Sequence, residues 1–515
     1  MSFESTFSFA NLGNYFLVAG GLLTAVAISL VLPLRDPLIA VPGPFWARWS
    51  PAWLVYHALK GDMHREMLQL HSKYGTIVRT GPHEVSVSDP EAIQLIYGAG
   101  SSFTKGNWYS VWQGRRKFDL FAERDAHVHR GQRRFVNAIY SSTGLADLEP
   151  YLDGVLRDFL ARLEQMHAQP IDMAYWAQLF AFDVIGELTF SKRFGFLDTA
   201  TDKGTFVHIE QALQSAAWIG QVPWLYWLHD KLSPWIGNHL KITNRHGLLR
   251  EIAAREVEQR WLRSGGRGRA DILEKLMAVH RSHPEQFDDA AVLSMASSNI
   301  FAGSDTTAIS IAAILYYLCK YPQYKARLVE EIFVEADAGR IGPSDVPYKV
   351  ARKMSYLQAC IQEGLRCHPA VGMSLPRVTP PDGLAVDGVH IPGGTIVGTN
   401  PWVIHGNKEI FGADADVFRP DRWLEGDVSS KKRFFFAFGA GSRTCIGKSL
   451  SLLEISKVRR TTNIGYLVNC LLQLLPCLLL EYDIELAEPA AEMAESCWWF
   501  VKIHGLNLCL KRRMG

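Results

Sequence analysis

The sequence predicts a mainly α fold with small β-sheets, preceded by an N-terminal transmembrane helix. Three observations carry that expectation. From about residue 123 to 340, apolar residues recur at spacings of three and four, the period of helices that bury one face. A shorter stretch, 75–89, alternates apolar and polar residues around Gly81-Pro82, and another, 377–403, reads as short strands separated by turn signals at Pro380-Pro381-Asp382-Gly383 and Pro392-Gly393-Gly394. Residues 15–32 read YFLVAGGLLTAVAISLVL without a charge, about enough at ~1.5 Å per residue to cross a hydrocarbon core.

At the N-terminus, residues 1–14 carry only Glu4, so the basic n-region of a cleaved signal peptide is missing. The expectation is a retained anchor over 15–34 with 1–14 as a lumenal tail. Arg35, Arg48, Lys60 and Arg65 follow the apolar run, and the positive-inside rule then puts the body in the cytosol, on an endoplasmic reticulum membrane. Pro37, Pro42 and Pro44 stiffen a proline-rich linker over 35–50. No repeat or long linker divides 51–515, which reads as one domain. With 48% hydrophobic and 21% charged residues, the 515-residue chain is not disordered, and a net charge of +2 gives no global pull toward nucleic acid. The eight cysteines include no CxxC pair and none falls before Cys319, which suits a reduced, cytosol-facing protein.

The strongest local signal is Phe438-Gly439-Ala440-Gly441-Ser442-Arg443-Thr444-Cys445-Ile446-Gly447. Its glycines let the backbone turn tightly and approach a flat macrocycle, because they have no Cβ to clash or to forbid φ > 0. Cys445 is presented to an iron, with Arg443 nearby as a cation for the thiolate or for a haem carboxylate. A second signal is Ala302-Gly303-Ser304-Asp305-Thr306-Thr307, inside a helical run from about 288 to 320. Thr306 lies four residues after Ala302, so its hydroxyl can take that carbonyl and is expected to bend or open the helix there. The third is Glu363-Gly364-Leu365-Arg366, whose spacing puts a carboxylate and a guanidinium on one helix face.

The cysteine run resembles the haem-binding loop of the cytochrome P-450 haem-thiolate monooxygenases, and nearly all of the chain can be laid on that family's pattern. The segments TKGNWYSVW and YGTIVRTGPHEVSVSDPEAI are similar to fungal, microsomal members that tailor secondary metabolites, near the pisatin demethylase-like group. The resemblance implies haem b with Cys445 as axial iron ligand, flanked by Phe438 and Gly439. It makes Asp305 and Thr306 the catalytic proton carriers. Arg133, Arg377 and Arg443 become propionate partners, and His129 stands where many members have tryptophan. Glu363, Arg366 and Arg422 are expected to form a buried network supporting the cysteine loop. Electrons would come from NADPH through a separate flavoprotein reductase, drawn to the basic cluster of Arg115, Arg116, Lys117, Arg124, Arg130, Arg133 and Arg134.

Substrate would meet the stretches 108–118, 298–306, 371–375 and 498–500, which are mostly apolar, so a small apolar molecule is expected. A haem-thiolate isomerase or dehydratase would keep Cys445 but need no proton relay. After Cys445 the family continues as one helix into a strand. Here residues 446–457 begin that pattern, 474–486 finish it, and 458–473 intervene as an atypical insertion with the coding pattern of an in-frame retained intron. Joined directly, the flanks read SLLEISKLLPCLLLEYDIEL. A haem-binding protein made defective by the insertion is the remaining alternative.

Overall fold

The structure, a computed structural model, describes residues 36–141, 146–166, 169–262, 270–448, 466–490 and 492–513. The tail and anchor expected over 1–34, and residues 458–465 of the insertion, lie outside the described residues.

The centre of the molecule is the helix Asp289–Lys320, capped by Asp288, whose carboxylate accepts the Ala291 N–H at 2.8 Å. It packs along the helix Met173–Phe190, buried on almost every side, and against the helix Ser355–Cys367. The last contact requires Gly364: a Cβ there would lie 2.4 Å from Ile314 Cγ1. Among the described residues, Asp289–Lys320 is the one helix long and apolar enough to cross a membrane, and 72% of its most apolar window is buried inside the fold.

Both expected strand regions form. The first gives the hairpin Ile77–Gly81 with Glu84–Val87. The second supplies Arg377–Val378 and Ile396–Gly398 to the same five-stranded sheet, and Leu384–Val386 with Val389–Ile391 as a separate hairpin. Thr104–Lys105 pairs antiparallel with Arg377–Val378 at the sheet's end. Near the C-terminus, Ala494–Trp498 and Phe500–His504 form a hairpin, while Tyr482–Leu486 pairs with Asn507–Arg512.

Part of the expected linker packs on the domain. Leu38 and Val41 are buried, Asp36 pairs with Arg79, and the Arg79 N–H donates to the Pro42 carbonyl at 2.7 Å. In the insertion, residues 466–473 supply the first two turns of the helix Tyr466–Glu481, which runs into the expected strand. Cys319, Cys360, Cys367, Cys445, Cys477, Cys497 and Cys509 are free thiols.

Candidate active site

The cysteine loop is shaped by close approach to the rest of the fold. Gly439 and Gly441 both adopt positive φ, and a Cβ on Gly441 would lie 2.0 Å from the Tyr97 carbonyl oxygen. The Gly439 N–H donates to the Phe436 carbonyl at 3.0 Å, and the Cys445 N–H to that of Phe438, also at 3.0 Å. The turn therefore closes on itself, leaving Cys445 exposed and Phe438 half-buried. Tyr97 braces the neighbouring sheet: its hydroxyl donates to Leu375 O at 2.6 Å and accepts the Thr399 N–H at 2.8 Å.

The expected ionic network is present and dry. Glu363, Arg366 and Arg422 are 0%, 2% and 0% exposed. Arg366 forks onto both Glu363 oxygens at 2.8 and 2.9 Å, and Arg422 Nε reaches Oε1 at 3.0 Å. Trp423 Nε1 adds a bond at 2.8 Å, and the Arg419 N–H another at 2.9 Å. Burial alone would raise the Glu363 pKa, but these donors and the two guanidinium charges hold it below the ordinary value. Arg366 also binds the carbonyls of His405, Ala415 and Val417, which ties two chain segments to one helix. His405 carries the connection onward, with Nδ1–H donating to Arg366 O at 3.0 Å and Nε2 accepting the Phe436 N–H at 2.8 Å.

The cations assigned to haem carboxylates converge, joined by one that sequence reading missed. Lys105 is the register partner of Arg377 across the antiparallel pair. Both are buried, at 7% and 4% exposure, although like charges directly opposite destabilise a sheet. Burial, then the charges of Arg377 and Arg443, drive the Lys105 pKa well below the lysine range. The same surroundings bring Arg443 down to about 10, through burial and then Arg377. His129 is pushed down to about 3 by burial and then by Arg443, Lys105, Arg133 and Arg377, so it stands neutral.

Arg443 donates to the carbonyls of Glu123, Arg124 and Asp125, and Arg133 to those of Ser442 and Thr444. Asp119 and Glu123 offset part of this charge, but Asp119 already pairs with Arg116. Buried cations that depress one another are the surroundings a dianionic ligand relieves, and the donor set fits the two carboxylates of a haem.

The long helix supplies the opposite wall. Thr306 Oγ1 donates to Ala302 O at 2.7 Å, as the spacing predicted, but the helix runs through unbroken. Thr306 is one of a series: Ser304, Thr307 and Ser310 also donate back one turn, to Ile300, Gly303 and Thr306. Each hydroxyl shares a carbonyl with the helix instead of displacing its amide, so the expected opening does not occur. Ala302 is nevertheless exposed and Gly303 and Thr306 half-exposed in the middle of a buried helix, so a void adjoins this face. Asp305 is buried beside Gln178, whose Nε2 donates to Oδ1 at 2.6 Å.

The expected substrate stretches meet in an aromatic group. Trp108 stacks on Trp499 with centroids 4.6 Å apart and planes at 26°. Trp112 lies 6.0 Å from both Trp499 and Phe301, and Phe301 lies 5.6 Å from Phe500. Trp499 holds φ at +84°, a conformation sustained by the Gly372 N–H bond to its carbonyl at 2.9 Å. The basic cluster, by contrast, divides. Arg115 pairs with Asp230, Arg116 with Asp119, and Arg133 braces the loop, leaving Lys117, Arg124, Arg130 and Arg134 on the surface.

The cytochrome P450 family profile matches residues 41–460. A cytochrome P450 monooxygenase of Aspergillus oryzae is 38% identical over 439 residues, covering 82% of this chain and 86% of that protein. Another, from Emericella nidulans, is 36% identical and covers 94% and 95%. A pisatin demethylase of Fusarium vanettenii is 34% identical and covers 94% and 90%. With the glycine-shaped cysteine loop, the dry ionic brace and the convergent cations in one fold, the chain belongs to the cytochrome P450 family and is a haem-dependent oxidoreductase fed by a redox partner.

Proposed function

We propose that this protein is a membrane-anchored monooxygenase that hydroxylates, demethylates or similarly oxidises a small apolar molecule in fungal secondary metabolism. Electrons come from NADPH through a separate flavoprotein reductase. The observation that carries the reading is the pairing of an exposed Cys445 with the half-exposed Thr306 and Ala302 on an otherwise buried helix. When bound, haem supplies the binding and activation of dioxygen.

The chain's residues do the rest. Cys445 ligates the iron through sulfur, held by its loop with Phe438 and Gly439. Lys105, Arg133, Arg377 and Arg443 neutralise the carboxylates, and His129, being neutral, donates one N–H. Thr306 Oγ1–H donates a hydrogen bond to Ala302 O, which leaves the Oγ1 lone pairs to accept a hydrogen bond from water in the void. Asp305, fixed by Gln178, is the acid behind it. The aromatic group around Trp112 and Trp499 excludes water and favours flat apolar substrates. The apolar run 15–32 anchors the chain in the endoplasmic reticulum membrane with this domain in the cytosol.

The test is a reduced, carbon monoxide difference spectrum of the purified protein and of Cys445→Ser. A thiolate-type Soret shift lost in the variant supports the assignment, and no such shift in either the parent or the chain lacking 458–473 overturns it. Substrate-dependent NADPH consumption with a reductase separates oxygenase from isomerase or dehydratase, and metabolite profiling of a deletion strain identifies the substrate. Protease protection in microsomes reports the topology.

A further inference from the structure

The helix Tyr466–Glu481 packs against the helix Glu149–Met166, and at their contact Gln473 meets a cluster of acids. Its Nε2 donates to Asp153 Oδ1 at 3.1 Å, to Val346 O at 3.3 Å and to Glu149 Oε1 at 3.4 Å. Asp345 adds a third carboxylate to the field at Asp153, and Arg157 is the cation that opposes it. Cys477, one turn on, is raised by burial and then by Glu481, Asp153 and Asp345. Gln473 is 2% exposed, yet its Oε1 has no hydrogen-bond partner. A side chain with one donor end and one acceptor end therefore sits where the surroundings offer almost only acceptors. An ammonium group, all donor and positively charged, suits this place better on both counts.

The sequence contains that group. If residues 458–473 are removed, Lys457 directly precedes Leu474 and takes the helix position that Gln473 holds here. Ile455 then takes the place of Leu471, an apolar residue for a fully buried apolar one, and Ser456, which can return its hydroxyl to the helix, takes that of the equally buried Leu472. We propose that the form of this protein for which the fold is built lacks residues 458–473, and that Lys457 in that form fills the pocket of Glu149, Asp153 and Asp345. The inference is independent of the carboxylates near the haem, but it rests on the haem-thiolate reading for its consequence: the shortened helix leaves Cys445 without interruption and supports the cofactor.

Thermal unfolding decides it without recourse to activity. Four proteins are compared: the full chain, the full chain with Gln473→Lys, the chain lacking 458–473, and that shortened chain with Lys457→Gln. Asp153 is raised to about 6, by burial and then by Glu149 and Asp345, so the pocket gains charge as pH rises from 5 to 7.5. Gln473→Lys should raise the midpoint of the full chain by about 2 °C or more at pH 7.5 and less at pH 5. Lys457→Gln should lower that of the shortened chain with the same pH dependence. The shortened chain should melt above the full chain and keep haem through gel filtration.

Midpoints unmoved by both substitutions, or a shortened chain that melts below the full one, overturn the proposal. A shortened chain that does not fold overturns it equally, while Gln473→Lys tests the pocket in the full chain. The expected melting pattern without a thiolate-type spectrum would sink the haem assignment and leave this inference standing.

Discussion

The Nε2 atom of His405 accepts the backbone N–H of Phe436 at 2.8 Å, and this one bond joins the ionic brace to the cysteine loop. Because Nδ1–H is committed to Arg366 O, the tautomer is fixed and the ring serves as an acceptor toward the loop.

Replacing His405 with alanine should therefore loosen the loop while leaving the brace itself intact. The Phe436 N–H becomes a buried donor without an acceptor, at a cost of about 1–3 kcal/mol. The expected result is a lower melting temperature and faster haem loss to a scavenger apoprotein. His405→Gln, which can accept but is not a ring, should recover part of the retention.

Lys105→Met should act in opposite directions on the two forms of the protein. Without haem, removing one of two facing cations relieves repulsion of up to ~1 kcal/mol, so the apoprotein should melt higher. With haem, a carboxylate loses a partner and the cofactor should dissociate faster. Melting curves of both forms check the sign, and equal shifts in the two would refute a carboxylate-binding role.

Acid should destabilise the fold through histidines that are buried neutral. Burial brings His405 to about 3 and His71 to about 4. Both lie below the unfolded value near 6.5, so unfolding takes up protons that the native state refuses, and stability falls as pH drops from about 6.5 toward 4. His129 joins them in the apoprotein, where four cations depress it after burial. Bound carboxylates lift that depression. Urea titrations from pH 7 to 5 should therefore show a steeper loss for apoprotein than for holoprotein, by up to ~1.4 kcal/mol per pH unit.

Gly441→Ala tests the loop's close approach directly. The added methyl meets the Tyr97 carbonyl oxygen at 2.0 Å, on a backbone with φ of +62° that disfavours any side chain. Far-UV circular dichroism should remain helical while the haem spectrum is lost or converted to one without thiolate ligation.

What could be read in advance depended on how far apart the cooperating residues lie. Cys445 with its glycines, and Thr306 with Ala302, are local patterns whose spacing already contains their geometry. Glu363 with Arg366 is equally local, and Arg422 followed from family resemblance. Lys105 and Gln178 gave no such signal, because each acquires its neighbour only through tertiary packing: Lys105 through strand register with Arg377, Gln178 through the contact of two long helices. His405 was invisible for the same reason, since nothing around it in sequence indicates that both ring nitrogens are used. The expected opening at Ala302 failed on a finer point: a carbonyl has two lone pairs, so a threonine hydroxyl can join a helix bond without breaking it.

The helix Ser355–Cys367 ends in a chain segment that is stitched to the Trp499 hairpin. The Gly372 N–H donates to Trp499 O, the Val501 N–H to Ala370 O, and His368 Nε2–H to Val501 O at 3.0 Å. Through Arg366 and His405 the same helix also holds the cysteine loop. Roof and floor of the cavity thus hang from one beam, and a change in its tilt would alter the clearance above the macrocycle and the seat of the sulfur together.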